Sequence, residues 1–144
     1  MLELLMVMGI LAVSSTFVII NFRGSQTTAR DTQRLNDLKQ YQTALEVYAN
    51  RNSGNYWTSS GAVKVAETDL CTALSLTGTC PRDPKNGQTV CSGITCGYKY
   101  FGTELAFVLW GPLERNINGS YYIICSNGEN GYSSSAPTSQ VCPI

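Results

Sequence analysis

The chain has 144 residues and a mass of 15.7 kDa, a length typical of one domain, so a multidomain enzyme is not expected. Ten basic and ten acidic residues give zero formal charge, which provides no overall field to steer the protein onto nucleic acid. The absence of histidine excludes His-based acid–base catalysis, Ser-His and Cys-His nucleophiles, and the common His-containing zinc sites.

The N-terminal segment is the most apolar part of the chain. Residues 4–20 (LLMVMGILAVSSTFVII) carry no charge, and Glu3 is the only charged residue before Arg23. This length lies at the lower limit for a membrane-spanning helix, so the segment predicts a tilted span or a span of a thin membrane. A cleavable signal peptide is the alternative, but no basic residues precede the run and no small-x-small cleavage site follows residue 20.

The segment that follows has the pattern of an amphipathic helix. Between residues 27 and 52, apolar side chains recur in steps of three and four, at Leu35, Leu38, Tyr41, Leu45 and Tyr48. Because no proline or capping cluster separates this segment from the apolar run, the two predict one continuous helix, roughly 75 Å long. The sequence Asn-Ser-Gly at 52–54 predicts its end.

Residues 53–96 are rich in Ser, Thr, Gly and Asn, and they predict a connecting loop. Within the loop, residues 67–76 favour a short helix, while Pro81 and Pro84 interrupt regular structure.

The following region predicts an antiparallel meander. Three segments have the composition of strands, at 97–101, 104–114 and 120–125. Turn residues separate them at 102–103 and 116–119. One apolar face of this sheet would cover the apolar stripe of the long helix, so we expect the two to pack together.

All six cysteines lie beyond the apolar segment, at Cys71, Cys80, Cys91, Cys96, Cys125 and Cys142. An even number in an exported chain favours disulfides, and short loops favour sequential pairing because they are easiest to close. The last pair would close a C-terminal loop. A four-cysteine zinc site is the alternative, but the spacings lack the Cys-x2-Cys pairs typical of zinc.

The order of these parts resembles the type IV pilin and type II secretion pseudopilin superfamily over the whole chain. The sharpest motif is Leu2-Glu3-Leu4-Leu5 followed by the apolar run, and residues 30–50 (RDTQRLNDLKQYQTALEVYAN) are similar to the helical tract of many bacterial pilins. The resemblance implies an α+β type IV pilin fold, in which a long N-terminal helix packs on a three- to four-stranded antiparallel sheet with disulfide-stapled loops.

The resemblance also implies a division of the chain. Residues 1–24 would form the transmembrane and filament-core half of the helix, and residues 25–144 an extracytoplasmic globular domain. That domain would contain the rest of the helix to about residue 52, a connecting loop, a sheet and a C-terminal disulfide loop, at 53–96, 97–125 and 125–144.

Two features depart from the family pattern. Many pilins carry a proline in the second half of the apolar helix, whereas here none occurs before Pro81. Many pseudopilins carry a calcium loop near the C-terminus, but residues 126–131 offer a single carboxylate, so calcium is not expected. Family members lose a short basic leader and keep a methylated N-terminus a few residues before the glutamate, and both lie outside this sequence.

The function implied is that of a structural subunit of a type IV pilus filament, with no enzymatic activity and no cofactor. Such filaments support adhesion, twitching motility or DNA uptake. The implied partners are copies of the chain in a helical homopolymer, the prepilin peptidase, the assembly platform and its ATPase, and the cytoplasmic membrane before assembly. The alternatives are a pseudopilin of a type II secretion or competence machine, and a membrane-anchored extracytoplasmic binding or enzymatic domain.

The resemblance assigns filament assembly to Glu3, Leu4, Leu5, Val7, Ile10, Leu11 and Phe17. Glu3 would pair with the N-terminal amine of a neighbouring subunit, because a charge in a dry core needs a partner. The alternative is that Glu3 only ends the helix at the level of the lipid headgroups.

Three further patterns have ordinary structural interpretations. Arg30 and Arg34 share a helix face and favour a solvated pair, with DNA or a partner's carboxylates as the alternative. Asn118-Gly119-Ser120 matches a glycosylation triplet, but Asn-Gly is favoured as a hairpin turn. Alternation along the strands predicts that half of the eight tyrosines lie in the core.

Overall fold

The structure is a computed structural model that describes residues 2–76, 78 and 80–144, with side chains at all of these except 16–21 and 23. Helix α1 (Leu2–Arg51) comes first, and strand β1 (Lys64–Val65) leads into a π-helical turn and then helix α2 (Cys71–Ala73). The turn is Ala66–Leu70, and the four remaining strands are β2 (Lys99–Gly102), β3 (Phe107–Pro112), β4 (Tyr121–Cys125) and β5 (Asn130–Ser133). The fold is therefore α+β, as the sequence predicts.

Helix α1 runs without interruption through all 50 of its residues, which confirms the continuous helix. Gly24 does not break it, and its carbonyl accepts hydrogen bonds from the hydroxyl groups of Thr27 and Thr28. The helix ends where Gly54 adopts a positive φ of 88° and donates its N–H to the carbonyl of Ala49.

The five strands form one antiparallel meander in the order β1-β2-β3-β4-β5. Leu109 in β3 lies opposite Tyr100 in β2 and Ile124 in β4, so an apolar row crosses the sheet on the side that faces α1. The opposite side carries a second cluster formed by Val108, Trp110, Ile123 and Cys125. Both sides of the central strands are therefore buried.

The expected three to four strands are too few, because β1 and β5 join the sheet edges. Neither has an apolar alternation of its own: β1 has two residues, and β5 reads Asn-Gly-Tyr-Ser with exposed and half-buried positions. Backbone pairing with β2 and β4 holds them in place. Such pairing leaves little signal in composition.

The expected Asn-Gly hairpin turn is also wrong. Pro112 pairs with Tyr121, so the connection between β3 and β4 spans residues 113–120, and the N–H of Leu113 donates to the carbonyl of Ser120. Asn118 lies exposed within this longer loop. The other predicted turn lies at 103–106 rather than 102–103, and β3 accordingly begins at residue 107 rather than 104.

The second half of α1 buries its predicted stripe against the sheet. Leu38, Tyr41 and Leu45 have no exposed surface, and they pack with Tyr98 and Tyr100 among others. Each fully buried aliphatic side chain contributes about 1.5–3 kcal/mol, so this face of the helix is a main source of stability. Four of the eight tyrosines are buried, as predicted, at Tyr41, Tyr98, Tyr100 and Tyr122.

The six cysteines form three sequential disulfides, Cys71–Cys80, Cys91–Cys96 and Cys125–Cys142. The first two hold the connecting segment between β1 and β2. The third ties the C-terminal segment to β4, where Cys142 packs against the second apolar cluster. This pairing is the one expected from loop closure.

Candidate assembly surface on the N-terminal helix

The first half of α1 exposes its apolar side chains. Every described side chain from residue 2 to residue 15 is exposed, with values from 52% at Val7 to 85% at Leu2 among the large apolar ones. The candidate assembly residues Glu3, Leu4, Leu5, Val7, Ile10 and Leu11 belong to this exposed set. A continuous apolar surface of this kind marks an interaction site in a folded protein.

The side chain of Phe17 lies outside the described residues, so its predicted place in the same surface stays a prediction. Phe22, one turn further on, is 61% exposed.

Gly9 makes a notch in this surface. A Cβ atom at this position would meet no other atom within 4 Å. The residues around the notch are Leu5, Met6, Ile10, Val13 and Ser14. A gap flanked by apolar side chains can receive a side chain of a facing helix, as in knobs-into-holes packing.

Glu3 lies in the first turn of α1, where the helix dipole favours a negative charge. Its side chain is exposed, and none of the cations among the described residues pairs with it. The carboxylate shares a helix face with Val7 and Ile10, so a partner that covers these side chains also approaches the charge.

Within the described part of the chain, no helix combines the length and the apolarity that crossing a membrane requires.

An ionic cluster marks the point where α1 meets the sheet. Arg34 is fully buried, and its Nε and Nη2 atoms donate to the carboxylate of Asp83 at 2.8 and 3.0 Å. Its Nη1 atom donates to Asp31 at 2.7 Å, and Nη2 lies 2.9 Å from Glu114. The solvated pair expected from the sequence is therefore wrong for Arg34.

Arg30 completes the cluster through a bidentate pair. Its Nε and Nη2 atoms donate to the two oxygens of Glu114 at 2.8 and 2.6 Å. Asp31 in turn accepts hydrogen bonds from the backbone N–H groups of Glu114 and Arg115. Carboxylates placed between the two arginines offset the like-charge repulsion that their spacing on the helix would cause.

The cluster stabilises the charged forms of its members. Burial opposes the charge of Arg34, but the hydrogen bonds and the charge of Asp83, joined by Glu114 and Asp31, raise its pKa overall. The hydrogen bond from Arg30 lowers the pKa of Glu114 below its ordinary value. Because these donors are used within the chain, the two arginines do not form a free basic surface for DNA or a partner.

A second buried contact lies one turn further along α1. The hydroxyl group of Tyr98 donates to Asp37 at 2.7 Å. Burial raises the pKa of Asp37 and that of Tyr98. This hydrogen bond joins the helix directly to the residue that precedes β2.

One group of potential metal ligands occurs among the described residues. The ligand atoms of Asp83, Cys91 and Cys96 all lie within 4.8 Å of one another. The two sulfur atoms are bonded to each other, and Asp83 accepts both of its short contacts from Arg34. The group therefore offers no thiolate, the form in which cysteine binds a metal.

The sequence analysis missed the acidic partners of the two arginines. Asp83 lies between two prolines, and Glu114 directly follows a strand that is buried along its length. A carboxylate at the end of a fully apolar strand is a signal that could have marked Glu114 as paired. No comparable signal marks Asp83.

Comparison of the chain with protein-family models, with curated proteins and with solved structures found no match.

Proposed function

We propose that the protein is the structural subunit of a type IV pilin-like filament, polymerised through the first half of α1. The observation that carries this proposal is the contrast within one helix. Residues 34–49 pack on the sheet of the same chain, whereas the apolar side chains of residues 2–15 have no partner among its described residues.

The free energy of burying these side chains supports self-association. Each large aliphatic side chain contributes about 1.5–3 kcal/mol when it leaves water, and residues 2–15 include Leu, Ile, Val and Met on all sides of the helix. A helix that is apolar all round is stable when fully surrounded. Copies of the same helix, packed around a filament axis, would surround it.

Glu3 gives the proposal its specificity. An unpaired carboxylate in an apolar interface costs several kcal/mol, so burial of this helix requires a cation beside Glu3. The proposed cation is the N-terminal amine of the adjacent subunit after processing of the chain.

The assembly route belongs to the same proposal. Before polymerisation the subunit would be held in the cytoplasmic membrane, processed by a prepilin peptidase and passed to an assembly platform with its ATPase. The pseudopilin alternative shares the fold but predicts short filaments, so electron micrographs of cells expressing the intact gene distinguish it from a pilus subunit. A membrane-anchored binding domain predicts no filaments.

The direct test replaces Glu3. We expect Glu3→Ala and Glu3→Gln to leave the protein stable at normal levels, because no described residue pairs with this carboxylate within the chain. Both variants should assemble few filaments, counted by electron microscopy and normalised to subunit levels by immunoblot.

Glu104→Gln is the matched control, since Glu104 is another exposed glutamate and lies in the turn between β2 and β3. Filament numbers should be unchanged in this variant. Normal filament numbers from both Glu3 variants would remove the charge-pairing mechanism.

A further inference from the structure

A hollow lies at the C-terminal end of α1, far from the apolar half of the helix. It has a volume of about 440 Å³, within the range of roughly 300–1,000 Å³ that ligand pockets occupy. We call it the helix-end hollow. Its principal lining residues are Tyr48, Arg51, Asn52, Asn55, Trp57 and Glu104.

The walls of the hollow are fixed by contacts to the sheet. After α1 ends, the N–H of Tyr56 donates to the carbonyl of Glu104 at 2.9 Å, and the N–H of Ser59 donates to that of Gly102 at 2.8 Å. The ring of Tyr56 also packs edge-on against Phe107, with centroids 4.8 Å apart. The segment that forms the hollow is therefore held in place before any ligand arrives.

Aromatic rings form one part of the surface. Trp57 is half-buried, and its ring packs against Tyr100 with centroids 5.6 Å apart. Tyr48, also half-buried, lines the hollow from the helix. Tryptophan and tyrosine offer large, rigid surfaces that are apolar on the ring face and polar at one edge.

Polar side chains without partners form the rest. Arg51, Asn55 and Glu104 are exposed, and none of them makes a side-chain hydrogen bond or ion pair with another described residue. Together they supply donors and acceptors. One cation and one carboxylate also leave the hollow without net charge.

We propose that the helix-end hollow binds a neutral carbohydrate. A pyranose ring has an apolar face of C–H groups, which fits an aromatic surface, and a rim of hydroxyl groups, each of which both donates and accepts hydrogen bonds. The hollow offers both kinds of surface. An acidic or phosphorylated sugar is disfavoured because Glu104 opposes the attraction of Arg51.

The site is separate from the proposed assembly surface. Tyr48 follows Val13 by 35 positions on the same helix, a distance of about 50 Å at 1.5 Å per residue. The apolar half can therefore be buried while the hollow stays open to solvent.

The test is saturation-transfer NMR on the full chain, kept in solution with lauryldimethylamine oxide because this detergent has no sugar headgroup. The probes are lactose, cellobiose and diacetylchitobiose, with 3′-sialyllactose as the acidic counterpart of lactose. We expect saturable transfer to the C–H protons of at least one neutral disaccharide, and a weaker signal from sialyllactose than from lactose.

Trp57→Ala should raise the Kd about tenfold or more, and Asn55→Ala and Arg51→Ala should each raise it by a smaller factor. Tyr132→Ala is the matched control, since Tyr132 is an exposed aromatic residue in β5 that does not line the hollow. Fluorescence of the buried Trp110 checks that each variant is folded, and Trp57→Phe keeps a ring where Trp57→Ala does not fold.

Three results would overturn the proposal: no saturable transfer to any neutral disaccharide, binding of sialyllactose alone, or binding that is unchanged in folded Trp57 and Asn55 variants. These results are independent of filament formation, because the hollow and Glu3 lie at opposite ends of the helix.

Discussion

The two halves of α1 share one unbroken helix and differ in what surrounds them. In the second half, Leu38, Tyr41 and Leu45 have no exposed surface, whereas Leu4, Ile10 and Leu11 in the first half are at least 60% exposed. The second half concentrates its apolar residues in a stripe, which one sheet can cover. The first half is apolar on all sides, and a single sheet cannot cover such a surface. The distribution of apolar residues therefore separates folding from association along one helix.

The largest expected effect comes from removing the first half. Deletion of residues 1–24 should abolish filaments and leave a folded monomer, because the ionic cluster and the core begin at Arg30. Electron microscopy, analytical ultracentrifugation and thermal unfolding measure these outcomes. If the truncated protein still polymerised, the sheet or loops would form the filament and the separation would be wrong.

The next largest effect concerns the ionic cluster that begins the second half. Arg34→Ala leaves Asp83 buried without its cation, which should lower the free energy of unfolding by about 3–5 kcal/mol. Urea denaturation measures the loss. Arg51→Ala removes an exposed arginine from the same helix and should change stability by less than about 0.5 kcal/mol. Equal losses from both variants would mean that the cluster adds nothing beyond helix propensity.

A smaller effect, dependent on pH, follows from Glu114. Its pKa in the folded state lies below the ordinary value of 4.5, mainly because of the hydrogen bond from Arg30. The carboxylate therefore stabilises the fold above about pH 4.5, and this contribution is lost as the pH falls through the folded-state pKa.

Glu114→Gln should accordingly lower stability by about 1.5–3 kcal/mol at pH 7, the range for hydrogen bonds to charged groups. The difference from the wild type should shrink in urea titrations below pH 4.5. Burial raises the pKa of Asp37 and Glu67, which shifts stability with pH in the opposite direction, so the variant is compared with the wild type at each pH. A difference that stays constant down to pH 3 would contradict the assignment.

Two glycines provide the finest comparison of the regions. A Cβ at Gly111 in β3 would lie 2.8 Å from the ring of Tyr98 and 3.5 Å from Leu38, so Gly111→Ala should destabilise the protein by about 1–3 kcal/mol. A Cβ at Gly9 meets open space, and Gly9→Ala should strengthen the helix by up to about 1 kcal/mol. Differential scanning calorimetry of both variants tests the contrast, and destabilisation by Gly9→Ala would show that its surroundings are packed.

The parts of the fold that the sequence predicted have local causes. The steps of three and four from Leu35 to Tyr48 predicted both the helix and its buried face, and the alternation in β3 and β4 predicted the central strands. Strand β5 escaped because its residues Asn-Gly-Tyr-Ser pair through the backbone and carry no apolar pattern.

The ionic cluster and the helix-end hollow could not be predicted for a different reason. Arg34 contacts Asp83 across 49 positions of sequence, and Arg30 contacts Glu114 across 84. A pattern within one segment does not say which distant charge will face it once the helix packs on the sheet. Trp57 likewise lies in a Ser/Thr-rich stretch, and only the return of the chain toward Tyr100 gives it a defined wall.

The continuity of α1 has a mechanical consequence for a subunit under tension. A helix without a break transmits a pull on its first half directly to the place where it is anchored. The first anchor on this path is the pair of arginines, which hold residues from the loop before β2 and from the end of β3. Load would reach these charged contacts before it reaches the apolar core beyond Leu38. The cluster is thus the element whose strength limits how hard the globular part can be pulled by its helix.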